Sequence, residues 1–300
     1  MAVFIDIHCH AYRIPPPVYS FCTPEQVLEV YDRLGIEKGA LLPIVSPEIY
    51  LPQANEDILE MCERYPDRFF PFCNVDPRAI SYSSHAPLDD LLRYYKDRGC
   101  KGLGEVMPNL PLMDPLVQNL LRCAEEVGLP VIYDGSDQLT GDFGLYDDPG
   151  LPQLEHTLQR YPDLIIFGHG PVFWSEIARL ETPGERGYVF RPHGGQVGRR
   201  PTGPIKEEGV VPKLMRLYPN LYGDLSDASP WNALSRDPEY GPKFLTEFQD
   251  RLCFGTDLCF PTMPIDIIDL LLDWRATGKI SEQVFQKIAR ENAIRIFGLQ

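Results

Sequence analysis

Eight short apolar runs recur along the chain, and stretches with the three-to-four-residue period of amphipathic helices separate them. The runs predicted as strands are Val3–His8, Gly39–Val45, Arg68–Val75, Gly99–Val106, Leu129–Asp134, Asp163–His169, Asn220–Leu225 and Arg251–Asp257. The clearest helical stretches are Pro24–Leu34, Asn55–Tyr65, Leu88–Arg98, Pro115–Val127 and Gln153–Tyr161. Strands alternating with helices imply crossover units and a parallel sheet. Eight such units are the number that closes a (β/α)8 TIM barrel, so one barrel domain over residues 1–300 is expected.

Local signals mark where these elements start and stop. Thr23-Pro24-Glu25-Gln26 reads as a capping box with proline at the first helical position. Tyr65-Pro66-Asp67, Tyr161-Pro162-Asp163 and Tyr218-Pro219-Asn220 each end a helix just before a strand, because proline cannot continue the helix and Asp or Asn tolerates the turn. Glycine serves the same joints at Gly35, Gly99 and Gly128. One segment breaks the rhythm. Glu181–Gly209 has no periodicity, is rich in Gly, Pro and Arg, and follows the sixth strand on the face where barrel active sites lie; a lid is expected there.

The formal net charge of -15 argues against nucleic acid or an anionic membrane as partner. Eight cysteines without a CxxC pair read as buried thiols in a reducing compartment, not as a disulfide framework. The first residues lack a basic stretch followed by an apolar one, and no apolar run is long enough to span a bilayer, so a cytoplasmic location is the expectation. A small-molecule substrate is the expected partner, and a homo-oligomer is compatible with the sequence.

The candidate chemistry lies at the strand ends. Asp6-Ile7-His8-Cys9-His10 closes the first strand, and alternation puts His8 and His10 on one face, where two imidazoles can grip one ion. Asp6 shares their parity and is expected to buttress them. Strand four ends at Glu105, strand six at Gly168-His169-Gly170 and strand eight at Gly255-Thr256-Asp257. An apolar strand terminating in one ionisable residue needs a partner for that charge; a rim salt bridge is the competing explanation for Glu105.

These motifs resemble the amidohydrolase superfamily, in particular the amidohydrolase-related group that includes aminocarboxymuconate-semialdehyde decarboxylase. Tyr218-Pro219-Asn220-Leu221-Tyr222-Gly223-Asp224-Leu225-Ser226 and Glu291-Asn292-Ala293-Ile294-Arg295-Ile296-Phe297-Gly298 add to the resemblance, which spans essentially the whole chain. It departs at strand five, where many relatives carry a histidine and this chain has Asp134. Glu105 is similar instead to the strand-four glutamate of TatD-type nucleases. The resemblance implies that His8, His10, Glu105 and Asp257 hold one divalent ion tightly, zinc first and manganese next, with His169 as ligand or as hydrogen-bond donor to substrate. Glu105, Asp134 and His169 form a second half-site, harder than usual and left open. An ion in the first site lowers the pKa of water toward about 7, and Asp257 accepts the proton.

Tyr12, Arg13, Asp134, Trp174, Arg191 and His193 are the candidate substrate contacts, with Trp231 a further aromatic that serves as pocket wall or packing. His85 and His156 read as surface residues. The implied activity is hydrolysis of a small-molecule amide, lactone or ester. Non-oxidative decarboxylation of an aromatic or unsaturated acid is the alternative, which an arginine at the site would favour.

Overall fold

A computed structural model describes residues 3–16, 20–49, 53–190, 196–198 and 200–300. Eight parallel strands form its centre: β1 (Phe4–Cys9), β2 (Ile36–Leu41), β3 (Phe69–Pro71), β4 (Leu103–Val106), β5 (Val131–Ser136), β6 (Ile166–His169), β7 (Leu221–Asp224) and β8 (Leu252–Cys253). β1, β2 and β3 pair in order, and so do β4 through β8. Backbone hydrogen bonds join the two sheets at both seams. Cys73 N donates to Gly102 O at 3.0 Å, and Gly104 N to Cys73 O at 2.9 Å, linking β3 to β4. Ile7 N donates to Phe254 O at 3.1 Å, and Asp257 N to His8 O at 2.8 Å, linking β8 back to β1. The strands therefore run round a closed TIM barrel, as the eight-unit rhythm predicts.

The helices follow the expected punctuation. α1 (Pro24–Leu34) opens with the predicted capping box, Gln26 N donating to Thr23 Oγ1 at 3.3 Å and Thr23 N to Gln26 Oε1 at 2.9 Å. α2 (Asn55–Arg64), α3 (Leu88–Asp97), α4 (Pro115–Val127) and α5 (Pro152–Arg160) fall within a residue of their predicted limits. α1 and α4 each end on a glycine with positive φ, Gly35 at 72° and Gly128 at 71°. Gly35 turns directly into β2, which is why that strand starts three residues before the predicted Gly39. β3 and β8 are shorter than predicted, because their last residues curve into the loops that build the site.

Two apolar regions stabilise the barrel. The interior holds Ile5, Ile7, Ala40, Leu42, Phe70, Phe72, Ile132, Phe167, Tyr222 and Cys253, plugged by Phe297 from the C-terminal helix. Phe297 packs its ring against Phe70, Phe72 and Phe167 at centroid distances of 6.0, 5.3 and 5.9 Å. The larger region fills the space between strands and helices.

After the short helix α6 (Gly170–Ser175), the Glu181–Gly209 segment is only partly regular, with an antiparallel pair Tyr188–Phe190 and Gln196–Gly198. Its root is pinned by Arg186, buried and ion-paired to Glu176 at 3.1 Å while donating to the carbonyls of Asp147 and Asp148. No helix among the described residues is long and apolar enough to cross a membrane. All eight cysteines are free.

Candidate metal centre

Strands β5, β6 and β7 share one pattern. Each places an apolar side chain in the barrel interior (Ile132, Phe167, Tyr222) and, two residues on, a polar one above it (Asp134, His169, Asp224). Period-two alternation thus stacks a layer of ionisable groups on the apolar plug. β1 reaches the same layer differently. Its pairing with β2 shifts register between Asp6 and Cys9, so Ile5 and Ile7 face the interior and, beyond the irregularity, His8 and His10 do as well.

The irregularity corrects one expectation. Asp6 does not share the inward face of the histidines; it points toward the helical layer, where Tyr31 Oη of α1 donates to its Oδ2 at 2.7 Å. Gly39 leaves room for that tyrosine, since a Cβ there would collide with the Tyr31 hydroxyl. Asp6 still supports the site from behind. Its Oδ1 accepts the backbone N–H of both His8 and Thr256 at 2.9 Å, fastening β1 to the loop that carries Asp257. Burial pushes its carboxyl up to about 6 against these hydrogen bonds.

The six residues singled out at the strand ends meet. His8 Nε2 and His10 Nε2 are 3.2 Å apart. Glu105 Oε2 lies 3.5 Å from the first and 3.4 Å from the second. Asp257 Oδ1 lies 3.6 and 3.4 Å from the same two atoms. Five edges of this four-atom figure thus span 3.2–3.6 Å. Two ligand atoms bound to one zinc at about 2.0–2.2 Å stand roughly 3.0–3.6 Å apart, the range these five contacts occupy. Across Glu105, His169 Nε2 sits 3.6 Å from Oε1, and Glu105, Asp134 and His169 form a second group able to hold an ion.

The imidazoles are prepared for this. His10 Nδ1 is 2.9 Å from the carbonyl oxygen of Leu42, which can only accept, so Nδ1 carries the proton and Nε2 presents its lone pair to the site. His8 Nδ1 is 2.6 Å from Asp224 Oδ2. His169 Nδ1 is 2.9 Å from Ser226 Oγ and 3.2 Å from Asp224 Oδ2.

The charge balance also fits a cation. Burial works against a protonated His8, yet Asp224 and Glu105 hold its pKa well above the ordinary histidine range. His169 rises to about 9 against burial and the neighbouring His8 charge, through Asp224 and Glu105. Burial would raise Glu105, but His8, His10 and His169 hold it well below the usual carboxylate range. Burial, reinforced by the Glu105 carboxylate, drives Asp134 well above its ordinary value, and its buried Oδ1 has no hydrogen-bond partner. The cluster draws positive charge, as protons on the rings or as a metal ion that displaces them.

The expected substrate contacts divide. Asp134 belongs to the cluster. Tyr12 is buried, with Phe21, Ile44 and Met107, on the catalytic face. Arg13 is not at the site; it lies exposed over α2, paired with Asp57 at 3.2 Å and Glu60 at 3.5 Å. Trp174 is not a pocket wall: it is fully buried, packs against Phe173 and Phe244, and donates its indole N–H to Asp224 O at 2.9 Å. Trp231 packs against the outer core. Arg191 and His193 lie outside the described residues. His85 and His156 are exposed, as expected. Asp224 and Ser226 carry no role in the sequence reading, although Tyr222-Gly223-Asp224 is another apolar strand ending in one ionisable residue.

A closed parallel barrel with a His/Glu/Asp cluster at the strand ends defines a class of metal-capable barrel enzymes. The match to the amidohydrolase family model over residues 5–299 places it within that class: the chain belongs to the amidohydrolase family. Solved structures of similar fold include a probable 2-pyrone-4,6-dicarboxylic acid hydrolase from Acinetobacter baumannii with citric acid bound (15% identity, 99% of each chain, TM-score 0.60). A 2,6-dihydroxybenzoate decarboxylase from Rhizobium is 18% identical over 100% of this chain and 99% of its own, at TM-score 0.58. A manganese-bound dihydroxybenzoic acid decarboxylase from Polaromonas sp. JS666 is 18% identical over 100% and 98%, at TM-score 0.58. A search of curated protein sequences finds no match.

Proposed function

We propose that this amidohydrolase-family enzyme hydrolyses a small-molecule amide, lactone or ester, with Asp257 as the proton acceptor. The supporting observation is the exposure of Asp257. Its side chain is 20% exposed, whereas those of His8, His10 and Glu105 are 0%, 1% and 4% exposed. Of the four, it alone touches both the ring nitrogens and the open mouth, where water and substrate arrive. Its φ of 53° re-aims it there, a left-handed conformation that aspartate tolerates.

His8, His10, Glu105 and Asp257 would hold a divalent ion, and Glu105, Asp134 and His169 a second, more weakly. Two imidazoles with two carboxylates suit zinc; the carboxylate-rich second group suits manganese. An ion in the first group supplies Lewis acidity, lowering the pKa of water and polarising a carbonyl. Asp257 takes the proton of the attacking water and passes it to the leaving group. His169, its Nδ1–H held from behind, aims Nε2 toward the site, and as an imidazolium it would donate its Nε2–H to the substrate oxygen. A lid role for the Glu181–Gly209 segment, whose root Arg186 holds, belongs to this reading. Eight free thiols favour a reducing, cytoplasmic setting.

Decarboxylation of an unsaturated acid is the second reading. Arg200 favours it, placing a guanidinium 3.8 Å from Asp227, next to Ser226, and so within the β7 loop region of the site. The two hydroxybenzoate decarboxylases of like fold support it as well. Isotope uptake from solvent separates the readings. In H2(18)O a hydrolase places one heavy oxygen in its acid product. In D2O a decarboxylase places one deuterium on the carbon that lost CO2 and leaves the organic product free of (18)O. The first pattern is expected; the second alone overturns hydrolysis.

A further inference from the structure

Asp224 is fixed from several directions. It is fully buried. Its Oδ1 accepts the Ser226 backbone N–H at 3.0 Å, and its carbonyl accepts the Trp174 indole N–H at 2.9 Å. Gly255 makes room for it: a Cβ there would stand 2.7 Å from Asp224 Oδ1 and 2.8 Å from Ser226 Cβ. With Oδ1 so engaged, Oδ2 turns to two imidazoles at once, His8 Nδ1 at 2.6 Å and His169 Nδ1 at 3.2 Å. Ser226 Oγ bridges the same pair, at 3.2 and 2.9 Å. The two rings lie 4.4 Å apart between centroids.

An ionised carboxylate has no proton to give, so each ring nitrogen facing it is the donor. Asp224 Oδ2 therefore fixes the His8 proton on Nδ1 directly and, together with Ser226 Oγ as the closer hydrogen-bond partner of His169 Nδ1 at 2.9 Å, the His169 proton likewise, and both Nε2 atoms turn toward the site. We propose that Asp224 is the positioning residue for both halves of the site, ordering His8 for the ion and His169 for the substrate together. His10 supplies an internal comparison, because the Leu42 carbonyl fixes its tautomer independently.

The inference rests on the metal-dependent reading for His8 and is independent of it for His169. The experiment uses the zinc-loaded full-length chain, wild type and Asp224→Asn, with imidazole (15)N NMR and zinc affinity by competition with a chelating dye. In wild type all three rings are expected to carry a proton on Nδ1, His8 and His10 with Nε2 free for the ion and His169 with Nδ1 protonated whether or not Nε2 is. In Asp224→Asn the amide cannot accept both protons on one oxygen without facing its NH2 toward neighbouring donors. The His8 and His169 signals should lose the single-tautomer pattern while His10 keeps it, and zinc affinity should fall about 10–100-fold. A change at only one ring or at neither, or affinity within twofold of wild type, overturns the proposal. Should the variant not fold, the wild-type spectrum decides: His8 or His169 as the Nε2–H tautomer also overturns it. Wild type that binds no zinc contradicts the metal reading instead, and the His169 tautomer is then still read directly.

Discussion

The Nε2 atoms of His8 and His10 stand 3.2 Å apart and face each other. Two lone pairs at that distance need a proton or a cation between them, and Glu105 and Asp257 close round the same point. Either histidine is therefore expected to be required for metal. His10→Ala should abolish bound zinc or manganese at a stability cost of about 1–2 kcal/mol, since the Leu42 carbonyl loses its partner while Glu105 and Asp257 keep His8. His8→Ala should abolish it too but cost about 3–5 kcal/mol, because the buried Asp224 carboxylate loses its closest partner. Elemental analysis and denaturant melts check both, and normal metal content in either variant refutes the ligand assignment.

Glu105 spans both groups, Oε2 near His8 and His10 and Oε1 near His169. Glu105→Gln keeps the shape and removes the charge that balances three imidazoles. The expected outcome is at least a tenfold loss of metal affinity, measured by chelator competition. Unchanged affinity would return Glu105 to an ion pair among the histidines.

Asp134 has an orphaned buried oxygen beside Glu105 and His169. Gly170 opposite it, at φ 80°, leaves room where a Cβ would collide with that oxygen. At saturating manganese, Asp134→Ala should bind one ion fewer than wild type. Equal stoichiometry would remove Asp134 from the ligand set.

Asp147 gives a pH signature unrelated to the metal. Its carboxylate accepts the backbone N–H groups of Asp148, Gln153 and Leu154 at the start of α5, yet burial pushes it up to about 6. An acid raised on folding contributes its stability in full below its unfolded value near 3.8 and loses it as pH rises through about 6. Between pH 4 and 7 the wild type should lose about 2 kcal/mol relative to Asp147→Asn. Parallel stability curves would show that the backbone hydrogen bonds cancel the burial.

Much of this was legible in the chain. Eight apolar runs gave the barrel, and the Thr23 box and the Pro115–Val127 period gave α1 and α4 to the residue, because caps and periodicity are local signals. His8, His10, Glu105, His169 and Asp257 were legible as polar residues ending apolar strands. What failed depends on tertiary register or on loop direction. The irregularity between Asp6 and Cys9 reverses the parity of Asp6, and strict alternation cannot foresee it. Arg13 follows the carboxylates of α2, which sequence spacing does not bring near. Trp174 is buried by a short turn of helix directly after β6, not carried outward on a loop. Asp224 was readable by the rule that found His169, since Tyr222 and Asp224 repeat the parity of Phe167 and His169.

The most direct test of the account is turnover by metal-loaded Asp257→Asn on a substrate the wild type hydrolyses. The amide oxygen can still face His8 and His10, so metal content should be largely kept. The proton acceptor is gone, and general base catalysis contributes about 10²–10⁴-fold, so turnover should fall at least 100-fold. A metal-replete Asp257→Asn protein with near-normal turnover would contradict the account.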